Sequence, residues 1–302
     1  MQRPDYTALD DEQLAELIFV SEDRLELEAA QEMARRPSLT PILAQVVMDK
    51  QNWLAELPDW WAVVHASYIL GLTGGEEVVT PLLTALRWAD AFDCDWVTEL
   101  LPSILGHLGP AAIPGLTMVV RDYTAGWSAR DVAMKGLAAV SLHTPESAEH
   151  VMRLVGERFM DEGEDRPVRQ LAGHILLDFR CQQYRMALIK FSREEWSFRE
   201  MDAWYVAVLD PEEVEWAFRQ GLPDLWHYQE DWMRFYQPAE IQRRQKRWAR
   251  ERLGSRGGRG DRLPPPGGGR VLSFWRQSKT NEAPPQTPPP PGTPDHEGPA
   301  GE

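Results

Sequence analysis

Apolar residues recur at helical spacing along most of the chain. Across Asp95–Leu108, Val97, Leu100, Leu101, Ile104, Leu105 and Leu108 fall at i, i+3, i+4, i+7, i+8 and i+11. Val168, Leu171, Ala172, Ile175, Leu176 and Phe179 repeat that series, and Val79, Leu82, Leu83 and Leu86 follow the same rule. Such spacing draws one apolar stripe along a helix. No stretch alternates apolar and polar residues between hairpin turns, so the pattern predicts an all-α chain over residues 10–252.

The punctuation between stripes marks helix ends. Asp10 reads as an N-cap with acids in the first turn behind it. Thr40 reads as an N-cap with Pro41 at the first helical position, and Asp95 caps the helix that follows it. In "DWVTELLPSILGHLGPAAIPGL", Pro110 is expected to begin the second helix, with Pro114 in its first turn, and Pro102 to kink the first helix. "LDPEEVEWAFRQG" reads as a short helix capped by Asp210, opened by Pro211 and stopped by Gly221, and "QPAEIQRRQKRWARERLG" as a last helix ending at Gly254.

These helices come in pairs that repeat. Trp61 matches Trp96 and Leu70-Gly71 matches Leu105-Gly106, both at a spacing of 35; Trp127 follows in the corresponding place. Arg130, Ala133 and Leu137 share R-x-x-A-x-x-x-L with Arg169, Ala172 and Leu176. A hairpin cannot bury two stripes alone, so neighbours must stack, and each large aliphatic side chain covered contributes roughly 1.5–3 kcal/mol. The pattern predicts an α-solenoid, a HEAT/armadillo-like superhelix, in four parts. Residues 1–58 form an N-terminal helical cap, 59–191 the repeats, 192–254 a Trp-rich C-terminal cap packed on the last repeat, and 255–302 a Pro/Gly-rich tail. That tail is too poor in apolar residues to offset its ordering entropy and is expected to be disordered.

The segments "HASYILGLTGGEEVVTPLLTAL", "LLPSILGHLGPAAIPGL" and "ARDVAMKGLAAVSL" resemble the HEAT-repeat family, especially the short repeats named after phycocyanobilin lyases. The resemblance covers residues 59–191, and the flanking helices are similar to bacterial HEAT-repeat proteins of uncharacterised function. It implies the solenoid fold and says little about activity. Some HEAT-like proteins are iron hydroxylases that use His-Glu pairs within their repeats. The His-Glu dipeptide of this chain is His296-Glu297, in the tail. HEAT-like DNA glycosylases need a basic inner surface, and the strongly negative body argues against one.

Charge divides the chain. Residues 1–242 hold 20 Lys+Arg against 41 Asp+Glu, near −21, whereas residues 243–276 hold 11 Lys+Arg and only Glu251 and Asp261 as acids, near +9. Two candidate binding surfaces follow. Loops joining successive repeats fall on one edge of a solenoid and carry Asp90, Asp93, Asp95, Asp122, Asp161, Glu162, Glu164 and Asp165, an acidic rim that, beside the concave face made by the second helices, is expected to bind a basic protein partner. The segment beginning Arg243, Arg244, Lys246, Arg247, Arg250 and Arg252 is the alternative, a site for nucleic acid or for the chain's own acidic body. No catalytic set, cofactor site or metal site emerges. His107 lies twelve residues from Asp95 on one helix, roughly 18 Å away at about 1.5 Å per residue, too far to share a metal. Cys181 and His174 lack further ligands. No apolar run of membrane-spanning length and no signal sequence is apparent. The two cysteines read as reduced thiols, and the expectation is a non-enzymatic, cytoplasmic, protein-binding scaffold.

Overall fold

The computed structural model describes residues 4–197, 208–219 and 225–255. The protein is all-helical, with no strand among the described residues. In chain order the helices are α1 (Asp11–Val20), α2 (Leu27–Ala34), α3 (Thr40–Met48), α4 (Lys50–Trp53), α5 (Trp61–Thr73), α6 (Val79–Ala91), α7 (Asp95–Leu108), α8 (Ile113–Arg121), α9 (Trp127–His143), α10 (Ala148–Met160), α11 (Arg166–Asp178), α12 (Arg185–Trp196), α13 (Pro211–Ala217) and α14 (Pro238–Ser255). The Asp10 side chain accepts from the Gln13 amide and the Gln13 side chain accepts from the Asp10 amide, a reciprocal cap. Asp210 accepts from the Glu212 amide at the start of α13.

One junction recurs. A short 3₁₀ turn leads into each of α3, α6, α8, α10 and α12: Pro37–Leu39, Glu76–Val78, Gly109–Ala112, Pro145–Ser147 and Gln182–Tyr184. The tighter turn reverses the chain between the two helices of a pair. It corrects two sequence expectations. Helix α3 is entered through the turn, so Thr40 is its first residue rather than its cap. Pro110 lies in the turn, and Pro114 takes the position at the start of α8. Helix α7 has no such turn before it; its N-cap residue is Cys94, not Asp95. The junction also occurs between α2 and α3, so a helix pair lies before residue 59. Helix α7 runs unbroken through the buried Pro102.

Helix α7 lies against α5 on one side and α9 on the other, and α9 meets α11; α6 lies against α3 and α8. Glycines set the first of these approaches. A Cβ on Gly71 would lie 2.6 Å from Ile104 Cγ2, and one on Gly106 would lie 2.6 Å from Ala139 Cβ. The glycine matched at a spacing of 35 is therefore where successive first helices touch. The repeated arginine ties each pair to the previous one. Arg130 Nε donates to the Val120 carbonyl at 3.0 Å, and Arg169 Nε to the Phe159 carbonyl at 3.1 Å. Both carbonyls belong to the last turn of a second helix, which has no amide of its own to receive and favours a cation.

Asp95–Arg121 is long and apolar enough by composition to cross a membrane. It is instead α7, a 3₁₀ turn and α8, half buried within the fold, and a membrane span is not indicated.

The C-terminal segment departs most from expectation. Helix α13 lies against α12 and α11. Residues 225–255 do not stay there; they run back along the first helices toward the N-terminus. Tyr228 Oη donates to Asp178 of α11 at 2.8 Å. The Glu230 amide donates to Ser103 Oγ of α7 at 2.9 Å, and Trp232 Nε1 to the Tyr68 carbonyl of α5 at 3.1 Å. Phe235 and Tyr236 pack on α5, and Arg244 of α14 reaches Asp23 between α1 and α2. Under this strap every residue of α5 from 61 to 71 is buried. The expected disordered tail, Gly221 and Trp204 lie outside the described residues, apart from Ser255, the last residue of α14.

The close approach of α7 and α9 is testable. Gly106→Ala places a methyl group against the Ala139 side chain and backbone. Overpacking of this kind destabilises by about 1–3 kcal/mol. Urea unfolding of the variant is expected to show that loss, and unchanged stability would mean that the two helices do not meet at this glycine.

Candidate functional site

The acidic rim is assembled by the turns after α6, α8 and α10, and much of it is engaged internally. Asp122 accepts from Arg87 Nη2 at 3.1 Å and from Thr124. Its carboxyl is held below the usual carboxylate range, first by the Thr124 hydroxyl and then by the Thr124 amide and Arg87. Tyr123 Oη donates to Asp161 at 3.1 Å and accepts from Arg158 at 2.7 Å, which sets two successive turns side by side. Asp161 is held low chiefly by the Gly163 amide.

Glu164 is not a surface residue. Its side chain is fully buried against a fully buried Arg130, whose two terminal nitrogens meet its two oxygens; Arg158 donates to the same carboxylate at 3.2 Å. Bidentate, water-excluded pairing makes it a structural lock. Asp165 precedes α11 and donates its amide to Glu164 Oε1 at 2.8 Å. Glu162 is exposed. Asp90 lies in the last turn of α6, Asp93 turns the chain at φ 52°, and Asp95 opens α7. The eight residues thus cluster in and beside the turns after α6, α8 and α10, but Asp122, Asp161 and Glu164 serve the fold.

The basic segment is split by the geometry of α14. Arg244 faces inward, its side chain 7% exposed, and is not available to a partner. Its Nη2 donates to the Asp23 carbonyl at 2.8 Å, its Nε lies 3.3 Å from Asp23 Oδ2, and its guanidinium stands 3.7 Å over the Phe235 ring. Gln245 Nε2 donates to the other Asp23 oxygen at 2.7 Å. Burial pushes the Asp23 carboxyl up and the Arg244 guanidinium down, and each partner's charge pulls the other back toward the ionised form. Arg243, Lys246, Arg247, Arg250 and Arg252 remain exposed. Within the described part of the basic segment, 243–255, Arg244 therefore turns inward onto Asp23, while its neighbouring cations stay on the surface.

Aromatic rings surround this pair. Trp61 lies 5.7 Å from Trp96, 6.1 Å from Phe235 and 5.8 Å from Trp248, centroid to centroid. His65 sits among them, fully buried, with Nε2 at 2.6 Å from the Glu22 carbonyl and Nδ1 at 3.2 Å from Tyr236 Oη. Burial lowers its pKa to about 4. The neutral ring satisfies both contacts, Nε2–H donating to the carbonyl and Nδ1 accepting from the tyrosine.

The other polar candidates stay apart. Cys94 and Cys181 are free and buried, and burial pushes their thiols up to about 12 and about 11, away from the nucleophilic thiolate. No group of three His, Cys, Asp or Glu residues among the described residues is placed to hold a metal ion. An open recess of ≈770 Å³ lies between α12 and α13, lined in part by Arg193, Glu212, Glu215 and Trp216, and contains none of the predicted site residues.

Sequence reasoning missed the strap and its buried anchors Asp23, His65, Tyr236 and Arg244. A signal was present. Helix α5, "WAVVHASYILGLT", has no charged residue on any side, so one stripe could not describe it. No protein-family model matches the chain, and no curated protein matches it in sequence.

Arg244→Met leaves a buried carboxylate without its cation and is expected to destabilise by about 3–5 kcal/mol in urea unfolding. Asp23→Leu together with Arg244→Met is expected to be less destabilised than Arg244→Met alone; losses that simply add would mean that the two charges are not coupled.

His65 predicts an acid sensitivity. Its folded pKa of about 4 lies below the unfolded value of 6.5, so it contributes stability above pH 6.5 that is lost as pH falls toward 4. The loss is about 3 kcal/mol at 1.36 kcal/mol per unit. Asp23, with its carboxyl raised, shifts stability the opposite way on acidification. The informative quantity is therefore the difference between wild type and His65→Gln, in which Asp23 cancels. That difference is expected to shrink between pH 6.5 and 4, and a constant difference would remove His65 from the acid response.

Proposed function

We propose that the chain is a HEAT-like α-solenoid that serves as a non-enzymatic protein-binding scaffold. Five helix pairs entered through the same 3₁₀ junction, with first helices neighbouring first helices and α3, α6 and α8 in a second row, support the solenoid reading. One observation carries the binding reading: the two rows are treated differently. The strap covers the first helices, burying α5 from residue 61 to 71, while the second helices keep large side chains in solvent, with Met118 73% and Met186 74% exposed.

On the second-helix side an exposed ion pair steps from one helix pair to the next, Arg121 reaching Glu157 at 3.2 Å. Exposed pairs of this kind are worth about 0–1 kcal/mol, so a partner can exchange them for its own contacts at small cost. Scattered thioethers adapt to irregular surfaces. The internal use of Asp122, Asp161 and Glu164 moves the docking surface from the rim to this row.

A photo-crosslinking side chain placed at Met118 or Met186 in cells is expected to give discrete protein adducts, and the same group at Arg234 on the strap to give none. Absence of adducts from positions 118 and 186, or equal yields from position 234, would contradict the assignment of this face.

A further inference from the structure

Helix α14 has two faces of different chemistry. Ile241, Arg244, Gln245 and Trp248, at i, i+3, i+4 and i+7, are buried or partly buried; Arg244 and Gln245 meet Asp23, and Trp248 meets Trp61. Arg243, Lys246, Arg247 and Arg250, at the same spacing, are exposed, the first and third with side chains 67% and 51% exposed. Their nearby acids are Glu240, 2.8 Å from Arg243, and Glu251, 4.0 Å from Arg247. The sequence after α14 adds Arg256, Arg259, Arg262, Arg270 and Arg276 against Asp261.

We propose that the outward stripe of α14 binds the phosphate backbone of nucleic acid without sequence preference. From Arg243 to Arg250 the stripe spans about 10 Å at 1.5 Å per residue. That length covers about three steps of 3.4 Å between phosphates of one strand along a duplex axis, and so reaches four phosphates. Three of its four cations are arginines, whose planar fork engages phosphate oxygens in pairs. No aromatic residue lies among the four positions of the stripe, so bases are not read.

A lipid surface fits less well. Helices that lie in a membrane bury an apolar face among the acyl chains, and the aromatic and apolar side of α14 is already turned into the protein. The acidic body, near −21 over residues 1–242, repels a polyanion and confines the interaction to the stripe of α14.

The test uses the full chain, its R243Q/K246Q/R247Q/R250Q variant, and an R35Q/K190Q/R193Q/R219Q variant with the same net charge, whose four positions are all exposed. Fluorescence anisotropy follows a 20-nucleotide single strand and a 20-base-pair duplex from 50 to 200 mM NaCl. The full chain and the control variant are expected to bind with a steep loss across that range. The stripe variant is expected to bind on the order of a hundred-fold more weakly at 50 mM, with the slope of log K against log salt reduced by about 3, as four fewer phosphate contacts require. Equal weakening of both variants, unchanged binding by the stripe variant, or no binding by the full chain would overturn the proposal. So would tighter binding to phosphatidylserine vesicles or to polyglutamate than to either nucleic acid.

Discussion

A helix with no polar side can persist in water only if something covers every side of it. Helix α5 is such a helix. Its neighbours α2, α3 and α7 cover part of it, and the strap of residues 225–255 covers more. Each large side chain shielded in this way contributes about 1.5–3 kcal/mol, and Tyr68, Phe235 and Tyr236 are all buried at this contact. Much else follows from this requirement. The chain must return past α11 and α7 to reach α5, and an anchor is needed where it arrives.

The return changes the mechanics expected of stacked helix pairs. In a stack each unit touches only its neighbours, and stability is roughly a sum of local terms. Here a contact 221 positions apart in sequence, Arg244 with Asp23, joins the first helices to the last. Opening the N-terminal pair must break contacts made by the C-terminal helix, so distant parts of the chain are coupled in unfolding. Among the described residues, the same return covers α5 while Met118 of α8 and Met186 of α12 stay exposed.

The parts of this fold legible in the sequence were those governed by short-range periodicity. The apolar stripes, the glycine at Gly71 and Gly106 and the arginine at Arg130 and Arg169 recur at readable spacings because each acts between adjacent pairs. The 3₁₀ turns displaced two expected helix starts by a few residues, since Thr40 and Pro110 carry the composition of helix starts without holding the expected positions. The strap was hidden because its partners are remote and irregular: Trp232 meets a backbone carbonyl, and Arg244 meets an acid near the N-terminus. The rim illustrates a further limit. Glu164 and Glu162 are alike in sequence, and only three-dimensional placement makes one a buried lock and the other a surface charge.

The choice of a charged anchor for the strap has a physical reason beyond stability. A buried ion pair is often no more stabilising than apolar residues of the same volume, because desolvation offsets the attraction. An apolar contact, however, tolerates sliding, and α14 offers several alternative apolar or long side chains to α5. A slip of four residues would remove Arg244 from Asp23 and bring Glu240 or Trp248 there, leaving an acid against an acid or a carboxylate buried against a ring. Either outcome strands a charge, which disfavours that register. The ring of Phe235, 3.7 Å below the guanidinium, sharpens the observed register further, since a planar cation over an aromatic face is attracted only when the two are aligned. With the register fixed by Arg244, the remaining cations of α14 are fixed too: the spacing that turns position 244 inward turns positions 243, 246, 247 and 250 outward.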